Sequence, residues 1–547
     1  MSRQKAKSTD SLGSRLRVFL LQNFAPVWRL VDRVPCLSRR LNAFLINAAC
    51  SNVPFRPHPT STLSDYTSWR SLTDKSYLAM ALAAKVPPAD LPSVEAATSL
   101  FMIKDKQRDC PKSTLLFPIF AQYLTDGFLR TDPYDRRRTT SNHDIDMSPL
   151  YGRIEAQTRV LRLLSAEPGR KGRLKSQMID GEEFPLYLFN PGGGGYDPQF
   201  VDAEGKLILD EPLGVKDPWV ENGEAARRLL FAVGGDRVNS TATTSMLNSL
   251  FLREHNRLAG VIERENPSWD DDRVFETARN IVIVVFIKIV VEEYINHISS
   301  ICFPLKADPA AAWEAKWNKP NWMSVEFSLL YRWHSLIPAE MTWNDATVNS
   351  AQILLDNGSL VAAGLARAFK WAGQTKAAQL GLHNTAIYLE KNLVVESRAI
   401  AQNRERHLQG YNAYRQFMGM KPVSDFDEVT GDPVVQKELR DLYGTPDRMD
   451  FYVGLFAEDP GLNSPMPPLL GGMVALDAFT QALNNPLLSK QVFNEKTFTA
   501  TGMRTIEATR TLWDILSRNL GAKTVPGLSA ADVRMTRADW KRHFMGL

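Results

Sequence analysis

The sequence is poor in cysteine and lacks a long uninterrupted apolar run. It has 547 residues and four cysteines, with no CxxC pair among them. These are Cys36, Cys50, Cys110 and Cys302. Such scarcity argues against a disulfide framework or a cysteine-based zinc site, and favours free thiols in a reducing compartment. The strongest apolar run, from Asn280 to Val291, contains Lys288 and is too short to span a bilayer, so we expect a buried helix there.

The chain also has no large excess of positive or negative charge. The net charge is +4 and the isoelectric point is near 8.7, which is too mild to indicate a nucleic-acid-binding protein. The N-terminus is basic and then apolar, but Gln22 and Asn23 interrupt the apolar stretch and no small-residue cleavage site follows. We therefore expect no signal peptide and no transmembrane helix, and a cytoplasmic location.

Apolar residues recur at helical spacing through most of the chain, and alternating β-branched residues are scarce. This pattern predicts a mainly α fold. No Pro/Gly/Ser linker divides the chain cleanly. We therefore expect one large helical domain over residues 56–520, preceded by a basic N-terminal segment at 1–55 and followed by a polar tail at 521–547.

The N-terminal segment alternates basic residues with large apolar ones. Six arginines are offset by a single acidic residue, Asp32. They are Arg15, Arg17, Arg29, Arg33, Arg39 and Arg40. The pattern predicts amphipathic helices that lie on a membrane surface as peripheral anchors. Helices docked on the main body would produce a similar pattern, and the sequence leaves both possibilities open.

Tyr331 and His334 lie three residues apart in VEFSLLYRWHSLIP, a spacing that predicts a shared face of one helix. Imidazole is a common axial ligand of haem iron, and a neighbouring tyrosine can lose an electron to an oxidised haem. Ordinary packing also produces such pairs, so the pair has meaning only together with other residues. Gln122 and Asp126 share a second helical face, and Arg237 follows in VGGDRVNST, a set that could move protons and stabilise charge at bound peroxide.

These segments together resemble the animal-type haem peroxidase superfamily, and within it the fatty-acid dioxygenase branch. That branch includes prostaglandin H synthases (cyclooxygenases), plant α-dioxygenases and fungal linoleate diol synthases. The similarity runs roughly from residue 16 to residue 519 and rests on segments found in order along the chain. They are FAQYLTDGF, HDIDMSPLYG, FAVGG, LREHNRLAG, VVEEYINHISS and EFSLLYRWHSLIP.

The resemblance implies a haem peroxidase-like helical fold, haem b as the cofactor and a role for each matching residue. His334 matches the axial ligand of the haem iron, and Tyr331 matches the residue that forms the catalytic radical. Gln122, Asp126 and Arg237 match the distal catalytic positions. Nine residues match or are expected at the wall of the fatty-acid channel. They are Tyr294, Ile295, Ile298, Ser299, Phe327, Leu330, Trp333, Phe479 and Thr480.

The sequence departs from the resemblance at the distal position. Asp126 stands where the family has a histidine, and we expect it to stay ionised beside Arg237. An ionised carboxylate with an ordinary pKa of about 4 is a poor proton shuttle near neutral pH, so we expect weak peroxidase activity.

A second departure concerns the fatty-acid carboxylate. The arginine, tyrosine and glutamate that hold it in prostaglandin synthases fall on Ala49, Ile301 and Ala475. The carboxylate must then be held differently, with Arg39 and Arg56 as candidates, or the chain must enter with its tail foremost.

The function that the resemblance implies is the insertion of molecular oxygen into an unsaturated fatty acid through a tyrosyl radical, giving a lipid hydroperoxide. Two alternatives remain open on sequence alone. One is a haem peroxidase that acts on small reductants. The other is a haem-binding or membrane-associated structural protein without turnover. The retention of Tyr331, His334, Gln122 and Arg237 together argues against the structural alternative.

Overall fold

The computed structural model describes residues 12–51, 76–132, 134–190, 194–215 and 223–546. The described part is mainly helical, which confirms the predicted fold class. Through residue 265 the helices are Leu12–Gln22, Ala25–Asp32, Pro35–Ser51, Val94–Ser99, Leu116–Phe128, Ser148–Tyr151, Glu155–Leu161, Gly223–Arg227 and Ala242–Glu265. Beyond it they are Asp271–Ile289, Asn296–Ile298, Ala310–Trp313, Val325–Leu330, Asn357–Ala363, Leu365–Gln374, Ile387–Leu393, Val395–Glu405, Tyr411–Phe417, Pro433–Tyr443, Phe451–Ala457, Pro468–Leu483, Glu495–Ala508 and Leu512–Arg518.

The strands of the described residues form three small antiparallel pairs at the edges of the helical body. They pair Asp109–Thr114 with Lys376–Ala378, Ser176–Ile179 with Glu182–Pro185, and Glu340–Trp343 with Ala346–Asn349. The first pair matters for the site because Asp109–Thr114 leads directly into the Leu116–Phe128 helix.

Two long helices form the centre of the core. Ala242–Glu265 and Asp271–Ile289 pack against each other, and Leu116–Phe128 packs on the first of them. Side-chain caps define where the long helices begin: the Thr241 hydroxyl accepts from the amide of Thr244, and the Asp270 carboxylate accepts from that of Arg273. The apolar run predicted as a buried helix is buried within Asp271–Ile289 and its continuation.

That continuation, Val290–Ile295, is a π-helical segment. A π-helical turn contains about one more residue than an α-helical turn. The side chains after the segment therefore point in directions that a regular α-helix would not give them. Such segments are costly and occur often at functional sites. Here the segment carries Tyr294 and Ile295, both buried.

The prediction that Tyr331 and His334 share one helix is wrong. The Val325–Leu330 helix ends before Tyr331, which has φ −104° and ψ 24°, and His334 begins a separate 3₁₀ turn, His334–Leu336. A side chain ends the helix: the indole Nε1 of Trp333 donates to the carbonyl oxygen of Leu330 at 2.5 Å. In a continuing α-helix that carbonyl would accept from the amide of residue 334.

The described N-terminal helices and C-terminal tail pack on the body and contact each other, with the ring centroids of Phe19 and Phe544 5.6 Å apart. The Pro35–Ser51 helix packs against Ala310–Trp313 and Pro468–Leu483. The C-terminal tail runs back beside the Asp109–Thr114 strand, where the Thr114 amide donates to Met535 O at 2.9 Å and the Arg537 amide to Lys112 O at 2.8 Å. Across the ranges described, no helix has the length and apolar character needed to cross a membrane. None of the four cysteines, all of which lie in the described residues, forms a disulfide.

Candidate active site

The imidazole of His334 is held beside a carboxylate. Its Nδ1 lies 3.2 Å from Glu396 Oε1, at ion-pair distance but not aligned for a full hydrogen bond, and has no other partner. The second ring nitrogen, Nε2, forms no hydrogen bond with any described residue, and the side chain keeps 19% exposure. One nitrogen is therefore oriented by an anion while the other is available as a metal ligand.

Glu396 is fixed in place by its own contacts. Its Oε1 accepts from the Thr385 hydroxyl at 2.9 Å, and its Oε2 accepts from the Tyr452 hydroxyl at 2.6 Å. Its amide donates to Glu390 at 2.7 Å. The sequence analysis missed Glu396 because it lies in the first turn of the Val395–Glu405 helix, where acidic residues are common for electrostatic reasons alone.

Tyr331 sits among aromatic side chains. Its ring stacks on that of Trp333 with centroids 4.9 Å apart, and the edge of Phe327 approaches at 5.0 Å. Burial raises the pKa of the Tyr331 phenol above its ordinary value, and the negative charge of Asp477 raises it further. Tyr331 is therefore a neutral phenol that retains its O–H hydrogen across the physiological pH range.

Tyr294, which was expected at the channel wall, lies next to Tyr331. The two hydroxyls approach closely enough that each shifts the pKa of the other, but the Tyr294 hydroxyl has no partner at full hydrogen-bond geometry. Trp333 also stacks on Tyr294, with centroids 6.2 Å apart, and on Phe117 at 5.6 Å. Phe117, on the Leu116–Phe128 helix, is a member of this aromatic wall that sequence reasoning missed.

The other predicted channel residues come from three elements around this wall. Ile295, Ile298 and Ser299 follow Tyr294 along the chain, and the isoleucines are buried. Phe327 and Leu330 are buried on the Val325–Leu330 helix. Phe479 and Thr480 are buried on Pro468–Leu483, which packs against both other elements. The Thr480 hydroxyl donates to Leu476 O of its own helix at 3.0 Å, so it is not free to orient a ligand.

The distal residues also come together. Asp126 is buried on the Leu116–Phe128 helix, with Oδ1 3.9 Å from Arg237 Nη1 and Oδ2 without any hydrogen-bond partner. Gln122, one turn earlier, donates to the Ser240 hydroxyl at 3.2 Å. Arg237 is about one-third exposed and also donates to Leu129 O at 3.0 Å.

The expectation that Asp126 stays ionised is wrong. Burial raises the pKa of its carboxyl from 3.8 to about 7, and the opposing effect of Arg237 is smaller. The physical reason is distance, because a guanidinium at 3.9 Å that faces solvent compensates poorly for the loss of water around a fully buried carboxylate. Asp126 therefore titrates near neutral pH, where an unperturbed imidazole also titrates.

Arg332 connects the two groups of residues. The charges of Arg237 and Glu396 and the Tyr452 phenol all act on its guanidinium. Burial, with a contribution from Arg237, lowers the pKa of Arg332 to about 10, so it remains a cation. The distal residues and the His334–Glu396 pair therefore border a common region.

The donor set fits a haem iron. A porphyrin supplies four nitrogen ligands to its metal, so the protein needs to add only one, and the free Nε2 of His334 is suited to that role. The parts of the chain that the structure describes contain no group of three or more His, Cys, Asp or Glu that could hold a bare metal ion. The unpartnered Asp126 Oδ2 offers a proton acceptor on the distal side.

The sequence profile of the animal haem peroxidase family matches residues 127–528. The chain belongs to the animal haem peroxidase family. Among curated relatives, it is 28% identical to prostaglandin G/H synthase 2 of Equus caballus over 558 residues, covering 97% of this chain and 86% of that protein. It is 29% identical to prostaglandin G/H synthase 1 of Mus musculus over 494 residues, covering 88% and 76%.

Solved structures of this haem peroxidase fold agree. The fatty acid alpha-dioxygenase of Oryza sativa superposes with a TM-score of 0.68 at 17% identity, covering 97% of this chain and 98% of that one. Peroxidase A of Dictyostelium discoideum superposes with a TM-score of 0.66 at 18% identity, covering 87% and 98%. The fold is thus that of the family, and family membership makes this chain a haem-dependent oxidoreductase.

Proposed function

We propose that this animal haem peroxidase is a fatty-acid dioxygenase that uses haem b and inserts O₂ into an unsaturated fatty acid. The observation that carries the proposal is the placement of Tyr331. Its neutral phenol is half-buried against Trp333 and Phe327, three residues from the free imidazole nitrogen of His334. A tyrosine in that position can exchange a hydrogen atom with an apolar substrate on one side and an electron with a haem on the other.

The atoms balance in a simple sequence. Haem, when bound at His334, supplies the oxidising equivalent that a peroxide delivers. The Tyr331 phenol gives up one electron and its proton and becomes a phenoxyl radical. That radical takes a hydrogen atom from an activated allylic carbon, and O₂ adds to the carbon radical. The resulting peroxyl radical takes the hydrogen atom back from Tyr331, so the net change is one fatty acid plus O₂ to one lipid hydroperoxide.

The protein's contribution is placement and exclusion of water. The walls formed by Ile295, Ile298 and Leu330 are apolar, which suits an acyl chain and protects a radical from water. The distance between the Tyr331 oxygen and one C–H bond then determines which carbon reacts. The relatives support a lipid substrate: two are named prostaglandin synthases, one is a fatty acid alpha-dioxygenase, and a variant of that enzyme was solved with palmitic acid.

A second candidate function is a peroxidase that acts on small reductants. The observation that favours it is Asp126, whose carboxyl titrates near pH 7 and can carry a proton as a distal imidazole does. The argument for weak peroxidase activity assumed an ionised Asp126, and a carboxyl pKa of about 7 supports stronger proton transfer than that argument allowed. Peroxide cleavage also serves the dioxygenase, because it provides the oxidising equivalent for Tyr331.

We also propose that the N-terminal helices hold the enzyme on a membrane surface. Nine large apolar side chains in this segment are exposed. They are Leu16, Val18, Leu20, Phe24, Val27, Leu30, Val34, Leu37 and Phe44. Exposed arginines at 29, 33, 39 and 40 accompany them, as in helices that lie at a lipid interface. The side chains of Arg15 and Arg56 lie outside the described residues.

The decisive experiment measures oxygen consumption by haem-loaded protein with linoleate and traces of peroxide, and identifies the products by mass spectrometry. The proposal expects stoichiometric oxygen uptake and a lipid hydroperoxide at one carbon. A parallel guaiacol assay measures peroxidase turnover. If the protein oxidises guaiacol rapidly but consumes no oxygen with any fatty acid of a panel, the result would favour the peroxidase instead.

A further inference from the structure

Lys112 is a buried lysine on the Asp109–Thr114 strand, outside the site described above. Only 4% of the residue is exposed. Its ammonium donates to Asn463 O at 2.7 Å and Ser299 O at 3.3 Å, and it lies 4.9 Å from the ring centroid of Trp540. Two of its three donors are therefore used by backbone carbonyls, and one remains.

The charges around Lys112 do not neutralise it. Among the described residues, no carboxylate lies within ion-pair distance of its ammonium, and the titratable groups that act on it are Arg542 and the Cys110 thiol. Burial and the Arg542 cation lower the pKa of Lys112 to about 7. Two cations packed together without an anion are unfavourable in a protein interior, and an anionic ligand would stabilise both.

Arg542 completes the cluster from the C-terminal tail. Its guanidinium donates to Ser300 O and, at 3.1 Å, to Ile301 O, and its carbon lies 5.6 Å from the Trp540 ring centroid. Lys112 and Arg542 thus hold successive carbonyls of one short segment, residues 299–301. Trp540 forms a common wall for both cations.

This segment leads back to the proposed substrate wall. Ile298 and Ile295 precede it, and Tyr294 is five residues before Ser299. Five residues span at most about 17 Å, which is within the length of a long-chain fatty acid. Lys112 binds Ser299 O at one end of this span and Tyr294 lies beside Tyr331 at the other, so the span is of a length that an acyl chain can cover.

The residues first considered for the carboxylate do not fill this role. Ala49, Ile301 and Ala475 have no charge, Arg39 is exposed on the N-terminal helices, and Arg56 lies outside the described residues. Lys112 and Arg542 are the cations found beside the 299–301 segment.

We propose that Lys112 and Arg542, backed by Trp540, form the binding site for the carboxylate of the fatty-acid substrate. The inference rests on the proposed function for the identity of the ligand. It also assigns a role to the tail after residue 520, which carries two of the three side chains.

The test measures binding, separately from turnover. Haem-loaded full-length protein is titrated with cis-parinaric acid, a fluorescent fatty acid, and with its methyl ester. Lys112→Met keeps roughly the length of the side chain and removes the charge. Arg542→Gln removes the charge at the less buried position and leaves a shorter, neutral polar side chain. We expect each variant to weaken binding of the acid about 10-fold to 100-fold, as for loss of one charge-assisted hydrogen bond, and to leave binding of the ester unchanged.

Lys175→Met is the matched control, because Lys175 is also partly buried over an aromatic ring, that of Phe200 at 5.5 Å, but in another part of the fold. Equal weakening of acid and ester in both variants would show a structural role and overturn the proposal. Unchanged binding of the acid by the two variants would also overturn the proposal. So would displacement of bound cis-parinaric acid by inorganic phosphate as readily as by a fatty acid. If the variants lose binding of the acid but not of the ester, and the protein consumes no oxygen, the dioxygenase proposal would be refuted while the proposed carboxylate site would be supported.

Discussion

The imidazole Nδ1 of His334 lies 3.2 Å from the carboxylate of Glu396, and Thr385 and Tyr452 hold that carboxylate in place. An anion beside a ligating histidine increases the electron donation of the imidazole to its metal and fixes its orientation. Under the proposed function Glu396 is a positioning residue, since it would act on the haem iron through His334. The pair comes from segments more than sixty residues apart in the chain.

Glu396→Gln should weaken this effect without changing the shape of the side chain. We expect the iron midpoint potential to rise and the iron–histidine stretching frequency of the reduced protein to fall. Spectroelectrochemistry and resonance Raman spectroscopy measure the two. Glu458→Gln is the control, because Glu458 is also buried and bonded to a tyrosine, Tyr411, away from His334. An unchanged potential and frequency in the Glu396 variant would contradict its positioning role.

Tyr331→Phe removes the phenol oxygen and keeps the ring that packs on Trp333 and Phe327. Oxygen uptake with a fatty acid should fall to background, because no O–H hydrogen is left to exchange. The haem spectrum and the reaction with peroxide should be unchanged. Tyr196→Phe, at a half-buried tyrosine whose ring packs on Phe189 and contacts none of the site residues, should keep full activity. Substantial oxygen uptake by the Tyr331 variant would require a different radical residue.

Asp126→Asn tests the distal proton carrier. The raised pKa means that Asp126 is protonated below about pH 7 and becomes a base above it. The rate of reaction with peroxide, measured by stopped flow, should therefore rise with pH through about 7 in the natural protein. The Asn variant should lose this inflection and react about 100-fold to 10,000-fold more slowly, whereas Asp126→His should retain a titrating group near 6.5. A pH profile that is identical in the Asn variant would remove Asp126 from the mechanism.

Trp333→Phe should alter which carbon of the fatty acid reacts. Trp333 stacks on both Tyr331 and Tyr294, so a smaller ring leaves space that lets the phenol and the acyl chain shift. The cavity should cost about 1–2 kcal/mol of stability, which leaves the protein folded. Chiral chromatography of the hydroperoxides would show a broader product distribution. Trp371→Phe, in the separate pair with Trp343, controls for a general loss of packing and should leave the products unchanged.

Leu30→Glu tests the proposed membrane surface. Leu30 is 64% exposed on the Ala25–Asp32 helix, so a charge there should leave the fold intact while opposing entry into lipid. In vesicle flotation, the variant should bind lipid several-fold more weakly than the natural protein. Val434→Glu, an exposed apolar position on the Pro433–Tyr443 helix, should have no effect. Equal flotation of all three proteins would contradict the proposed anchor.

The spacing of residues along the chain predicted part of the fold and of the candidate site. The helical class and the shared helical face of Gln122 and Asp126 follow from residue spacing. The predicted helix through Tyr331 and His334 did not form, because the Trp333 indole takes the carbonyl that would continue it. A side chain that takes the place of a backbone amide at a helical carbonyl, as Trp333 does here, is difficult to predict from the spacing of apolar residues.

Residue type and order were enough to indicate the family, the candidate haem-site residues and the lack of the usual carboxylate anchors. Packing between distant segments raises the pKa of Asp126 to about 7, sets Glu396 beside His334, and brings Lys112 and Arg542 together beside Ser299. The physical reason is that burial and through-space charge set these properties, and both arise only when distant segments of the chain pack against one another.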